Sequence, residues 1–372
     1  MTAPPIDACS PTTALLAGRS VVTFGGCNYL GLSQHPRVVG AAADAMARFG
    51  LSTTASRETT GNTRLHEDLE GLLAGFCGHP AGLLVPDGYI ANLAAMQGLS
   101  ALGVRHAVID RRAHPSLRDA AGMAGMRLHE YGHADARDAA RLLGACEGRA
   151  VVVTDSVFAA DGTVAPARRL LASLRDGDRL LLDDCHGFAV LGRAGRGLAD
   201  ELDLSRDRLV VTTTLAKGLG CGGGVVMGER ALVDAARAGS TAYICTTPTS
   251  PALAAAAIEA IGLVRQDPSL HERLRANTTR VRSLLAERFD VDPAHPIPII
   301  AFVAGETDAM RIMHEEMLDR GVLAPLVAYP GGPAPVYFRL SVSAMHTEQQ
   351  IELLATAISA SVRNGRTARI PG

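Results

Sequence analysis

Short apolar runs of strand length recur along the middle of the chain, at Ala81–Val85, His106–Ile109, Ala150–Thr154, Arg179–Leu182, Leu209–Thr213 and Gly224–Met227. Alanine- and leucine-rich helical stretches fill many of the intervals. Strands that are apolar at successive positions have both faces covered. Separated by helices, they build a mainly parallel sheet flanked by helices, an α/β fold. Ligands of such sheets sit beyond the carboxyl ends of the strands, so the residues that end each run are where chemistry is expected.

At 372 residues the chain exceeds one small core and suits a large α/β domain with a smaller lobe. Residues 1-45 read as an irregular arm followed by a helix from about Pro36 to Phe49. Residues 46-268 read as the large domain, and 269-372 as an interdomain helix and a small α+β domain. A helical region from Pro251 to Arg288 is interrupted around Asp267 and Pro268. Strand-like runs follow at Ile297–Val303 and Val336–Ser343, with helical stretches at Thr307–Arg320 and Thr347–Val362. The proline-rich stretch Asp292–Pro298 is the expected linker.

Bulk properties remove several classes of function. A net charge of -2, 4% aromatics and no tryptophan argue against a nucleic-acid partner. No apolar run reaches membrane-spanning length, and the first residues carry no secretory pattern. Seven scattered cysteines without a C-x-x-C pair read as reduced thiols rather than a disulfide frame or a zinc site. The expectation is a cytoplasmic protein without a metal.

Of 36 basic residues, one is a lysine, Lys217. An arginine-favouring coding bias accounts for the rest, but a chance survivor belongs on a solvated helix face. Lys217 instead follows an apolar β-branched run, precedes a glycine cluster and has no charged neighbour between Val210 and Met227. An amine can lose its proton and condense with a carbonyl, which a guanidinium does not do. The position points to a Schiff base.

Leu180–Leu182 leads into Asp183, Asp184, Cys185 and His186, a buried-type strand that turns polar at its carboxyl end. Read alone, it is equally a strand-end turn. With Lys217 it forms a constellation suited to pyridoxal 5'-phosphate, whose ring nitrogen is kept protonated by a buried carboxylate such as Asp183, with His186 beside the ring hydroxyl. Val85, Asp87, Gly88 and Tyr89 read as strand, turn and helix start, where free amides hold a phosphate. Thr214 offers a hydroxyl at the lysine's strand end. His114 follows another strand, where it either lies on the ring or serves as an ordinary capping residue.

With these residues together the chain resembles the α-oxoamine synthases, fold-type I pyridoxal-phosphate enzymes. The likeness runs from Asn28–Pro36 through Gly61–Glu70, Asp87–Asn92, His114–Ser116, Asp183–Gly187, Gly192–Gly197 and Thr214–Gly220 to Arg339–His346. It implies that Lys217 holds the cofactor and serves as acid and base, that Asp183 pairs with the pyridine nitrogen and that His186 pairs with the ring hydroxyl. By the same resemblance His114 would stack on the ring, while Gly88, Tyr89 and Thr214 would bind the phosphate. Thr247 would reach the phosphate of a partner subunit in a homodimer with shared active sites. Arg339 would clamp a substrate carboxylate, with Asn28 also on the substrate side. The implied reaction condenses an amino acid with an acyl thioester, on coenzyme A or a carrier protein, and loses carbon dioxide to give an α-aminoketone. Aldol cleavage, decarboxylation or transamination on the same cofactor is the alternative.

Some positions depart from the family pattern. Cys27 and Asn28 stand where Asn-Asp is usual, Ala159 where a serine is, and Gly187, Phe188 and Ala189 where Gly-Thr-Gly is. Residues 51–60 replace a glycine- and serine-rich stretch. The changes fall on expected substrate contacts more than on cofactor contacts, so the substrate is expected to be unusual.

Overall fold

In the computed structural model, which describes residues 5–364, the predicted runs assemble into one seven-stranded sheet. Its order is Ala81–Val85, Gly224–Gly228, Leu209–Thr214, Arg179–Asp183, Ala150–Asp155, His106–Asp110 and Arg127–Tyr131. All strands are parallel except Gly224–Gly228, which runs against both neighbours. The inner strands and Ala81–Val85 are buried almost throughout, as their unbroken apolar runs require. The register sets Asp155 beside Asp183 and Asp183 beside Thr212, so polar residues line up at the carboxyl edge.

Arg127–Tyr131 escaped the pattern because it is a largely exposed edge strand, unlike Ala81–Val85, which is buried at the other edge. Only Tyr131 of Arg-Leu-His-Glu-Tyr is buried, and charge at an edge discourages further pairing. The sheet, its helices and helix Pro36–Phe49 belong to a unit comprising His35–Phe158 and Val164–Asp267. Of the described residues, the second unit comprises 5–34, Ala159–Thr163 and 268–364.

Helix Gly88–Ala101 positions the site. Asp87 caps it by accepting from the amide of Ile90 at 2.9 Å, and the helix lies on strands Leu209–Thr214 and Gly224–Gly228 and against helix Arg230–Gly239. Gly98 permits that approach: a Cβ there would sit 2.9 Å from the Cβ of Ala236.

In the second unit the arm expected to be irregular is a small antiparallel meander of Ala8–Cys9, Thr13–Leu16 and Arg19–Thr23. Ala17 and Gly18, both at positive φ, make its two-residue turn. Strands this short leave too little periodicity to read. Three antiparallel strands, Ile299–Phe302, Tyr337–Ser341 and Leu326–Val327, pack with helices Ser269–Ala286, Thr307–Asp319 and Glu348–Asn364. Their core is built around stacked Phe289, Phe302 and Phe338. The stretch expected as a linker lies inside this unit, where buried Arg282 donates to the carbonyls of Asp292, Ile297 and Ile299.

Replacing Gly98 with leucine drives the Gly88–Ala101 helix from its neighbour and is expected to cost about 3 kcal/mol of stability. Urea unfolding followed by circular dichroism measures it.

Candidate active site

Past Thr214 the chain makes a tight turn stitched by its own backbone. Leu215 donates to the carbonyl of Gly223, Cys221 to that of Leu215 and Gly220 to that of Lys217. The Thr214 hydroxyl accepts from the amide of Ala216 and donates to Gly223. Gly220 and Gly223 take positive φ, which the closure requires. The turn holds half-buried Lys217 with its Nζ 3.0 Å from Nε2 of His186. Gly218 lets the two strand-end loops meet, since a Cβ there would fall 2.5 Å from the Cβ of Ala189.

Asp183 is buried at the end of its strand. It accepts from Nδ2 of Asn92 at 2.8 Å and from the amide of Cys185 at 3.1 Å. Asn92 is itself held: its Nδ2 also donates to Ser116, and its Oδ1 accepts from the hydroxyl of Thr212. Asn92 was not among the residues expected to act. It stands one turn into the helix that Asp87 and Gly88 begin, the same face that meets the strand ends.

His114 is both a capping residue and a member of the cluster. Its Nδ1 contacts the Ser116 hydroxyl at 2.7 Å at the start of helix Pro115–Met123, and its amide donates to Asp155 at 2.8 Å. Burial pushes the His114 imidazole below its usual pKa. Asp155 was also overlooked, although Val151–Asp155 ends as Leu180–Asp183 does. Burial, reinforced by adjacent Asp183, lifts its carboxyl well above the usual range.

Gly88 and Tyr89 open the helix, and their amides precede the first intrahelical bonds. A Cβ on Gly88 would lie 3.0 Å from the Cβ of Thr214 and 3.3 Å from Sγ of Cys185, so these groups share one small cradle. The Tyr89 hydroxyl turns outward to Asp119. Thr247 is exposed on the irregular stretch after helix Thr241–Ile244, outside this network. The stretch is pinned beside it, where Thr249 donates to the carbonyl of Val85 and its own carbonyl lies 2.8 Å from Nε2 of His66.

Asp184 points the other way. Two glycines of the sequence motifs wrap it: a Cβ on Gly187 or Gly197 would fall 2.1 or 1.9 Å from its oxygens. Burial lifts its carboxyl to about 7, against the opposing hydrogen bonds of Ser156 and the Leu198 amide. Phe188, expected to add bulk at a substrate contact, is buried and meets Phe76 edge-on, with centroids 6.3 Å apart. That bulk fills core.

The remaining expected residues lie in the second unit. The Asn28 side chain donates to the Ser33 hydroxyl at 2.8 Å, and its carbonyl accepts from Ser343. Arg339 donates through Nε to the carbonyl of Ala159, and Tyr337 on the same strand donates to that of Ala160. Tyr29 is fully buried; burial lifts its phenol well above the usual range, Cys27 adds to this and Arg339 opposes it. Cys27 thus neighbours Tyr29, and Ala159 neighbours Arg339, which itself borders Tyr29.

The model of the family "Aminotransferase class I and II" matches residues 19–358. A putative 8-amino-7-oxononanoate synthase of Desulforudis audaxviator is 34% identical over 359 residues, covering 95% of this chain and 92% of that one. The 8-amino-7-oxononanoate synthase of Xanthomonas axonopodis pv. citri is 38% identical over 345 residues, covering 92% and 86%. The chain belongs to the class I and II aminotransferase family, in its α-oxoamine synthase branch. A serine palmitoyltransferase variant from S. paucimobilis, solved with a bound PLP–myriocin aldimine, superposes with a TM-score of 0.90 at 26% identity, covering 97% of this chain and 92% of that one. The fold is that of the fold-type I pyridoxal-phosphate enzymes of this family.

Two outcomes follow from the buried carboxyls. Asn92→Leu strips Asp183 of its side-chain donor and is expected to cost about 2 kcal/mol, read by denaturant unfolding. Folded Asp184 keeps a proton that the unfolded chain, with a carboxyl near 4, loses first. Its contribution is therefore complete below about pH 4 and lost as pH rises through about 7. The Asp184→Asn variant is expected to show a shallower fall of stability across that window.

Proposed function

We propose that this chain is a pyridoxal-phosphate-dependent acyltransferase that condenses an amino acid with an acyl thioester, releasing carbon dioxide and an α-aminoketone. The observation that carries the reading is the strand-end cluster, in which the one lysine amine lies 3.0 Å from His186 beside a buried carboxylate held by Asn92. Cover of more than nine tenths of the chain by 8-amino-7-oxononanoate synthases supports it.

The residues fit the cofactor. Lys217 offers an amine, Asp183 an anion for a pyridinium nitrogen, and His186 and His114 imidazoles for the ring. The cradle that a Cβ on Gly88 would fill, with the amides of Gly88 and Tyr89 and the hydroxyl of Thr214, suits a phosphate. When bound, the cofactor supplies an electron sink for negative charge at the amino acid's α-carbon.

The chain's own groups do the rest. Lys217 Nζ takes the α-proton, and its turn keeps it within reach of His186 Nε2. Asp183 stays in place because Asn92 and the Cys185 amide each donate to one of its oxygens, which leaves lone pairs for a ring nitrogen. Asp155 holds the backbone of His114, so the imidazole cannot drift from the strand end. Arg339 is the proposed clamp for the substrate carboxylate, a bidentate task for a guanidinium, with Asn28 on the substrate side. Thr247 is the proposed contact to a partner subunit's phosphate in a homodimer. The described cysteines are all free, which supports a reducing, cytoplasmic setting.

Thiol release from acyl-coenzyme A or acyl carrier protein, dependent on an added amino acid, tests the reaction. Carbon dioxide or keto acid formed without a thioester would refute it. Lys217→Ala is expected to lower kcat by at least about 1,000-fold. Arg339→Lys is expected to raise KM for the amino acid about tenfold with kcat less affected.

A further inference from the structure

Three donor atoms meet on the outer part of the central sheet, and nothing in the proposed reaction uses them. His106 opens strand His106–Asp110, at the end opposite the one that carries the active-site residues, and His129 lies in the edge strand Arg127–Tyr131. The parallel register pairs Val108 with His129, so the two histidines occupy diagonal positions on one face. Nδ1 of His106 lies 2.9 Å from Nε2 of His129. Cys146 caps the carboxyl end of helix Ala136–Ala145, which packs against both strands. One donor atom from each of the three residues falls within 4.8 Å of the others, and no other such His, Cys, Asp or Glu trio occurs among the described residues.

We propose that His106, His129 and Cys146 bind a zinc-class divalent cation and thereby fasten the edge strand to its covering helix. Two imidazoles and a thiol are a nitrogen and sulfur donor set, suited to borderline-soft cations and poor for magnesium or calcium. Three protein ligands leave a fourth tetrahedral position for water. His106 and Cys146 are buried while His129 is half-buried, so His129 is the ligand nearest solvent.

Protons balance simply. The facing imidazole nitrogens share one hydrogen, which moves to the far nitrogen of its own ring when both ligate. The Cys146 thiol, which now contacts the carbonyl of Leu142 at 3.3 Å, gives its proton to solvent as sulfur binds the ion.

The test uses the full chain loaded with pyridoxal phosphate. Titration with Co2+ is expected to give a thiolate-to-cobalt charge-transfer band saturating at one equivalent per chain and reversed by Zn2+. Cys146→Ser should abolish the band, and His129→Asn should weaken binding at least tenfold while the cofactor spectrum stays unchanged. Replacing the exposed Cys9 with serine should leave the band intact. Absence of the band, or its persistence in Cys146→Ser, would overturn the proposal and leave an ordinary histidine–histidine hydrogen bond. Should Cys146→Ser fail to fold, His129→Asn at its half-exposed position decides the matter by the same measurement.

Discussion

A carboxylate taken out of water at the end of a parallel strand must find donors within the protein, and the rest of this site depends on how Asp183 finds them. Asn92 and the Cys185 amide supply two hydrogen bonds, and Asn92 is itself fixed by Thr212 and Ser116. That chain of bonds ties helix Gly88–Ala101 to two strands and to the helix that follows His114. Charged hydrogen bonds of this kind contribute roughly 1.5–3 kcal/mol each. They also hold the cradle at Gly88 and Thr214, His114 and the lysine turn in one frame.

The adjacent aspartates show how neighbouring residues of one motif part in role. Asp183 faces the strand-end cluster, whereas Asp184 turns into a pocket closed by Gly187 and Gly197. Those glycines read in the sequence as family signature, and their physical reason is the lack of room for a Cβ. Phe188 and Ala189 follow the same logic. The phenyl ring goes into the core against Phe76, and Ala189 accepts a positive φ where a glycine is usual. The departures at Cys27 and Ala159 are grouped instead with Tyr29 and Arg339, the proposed carboxylate clamp.

Much of this was legible from residues alone. Apolar runs marked six of the seven strands because buried parallel strands leave no polar alternation to blur them. Lys217, Asp183, His186 and His114 stood out as polar groups at the ends of those runs. Arg127–Tyr131 was hidden because an edge strand need not be apolar, and the N-terminal meander because its strands are two to five residues long. Asn92 and Asp155 were missed for another reason: each acts by holding a neighbour, and only the register shows which neighbour that is. The trio His106, His129 and Cys146 is separated along the chain by intervals that match no metal motif, so only the folded sheet brings it together.

The central claim is that the amine of Lys217 is the group that bonds covalently to the cofactor. Reduction of the pyridoxal-phosphate-loaded protein with borohydride, followed by digestion and mass mapping, tests it directly. The account predicts one phosphopyridoxyl group per chain, on the peptide that carries Lys217. A protein that binds the cofactor yet yields that peptide unlabelled would contradict it.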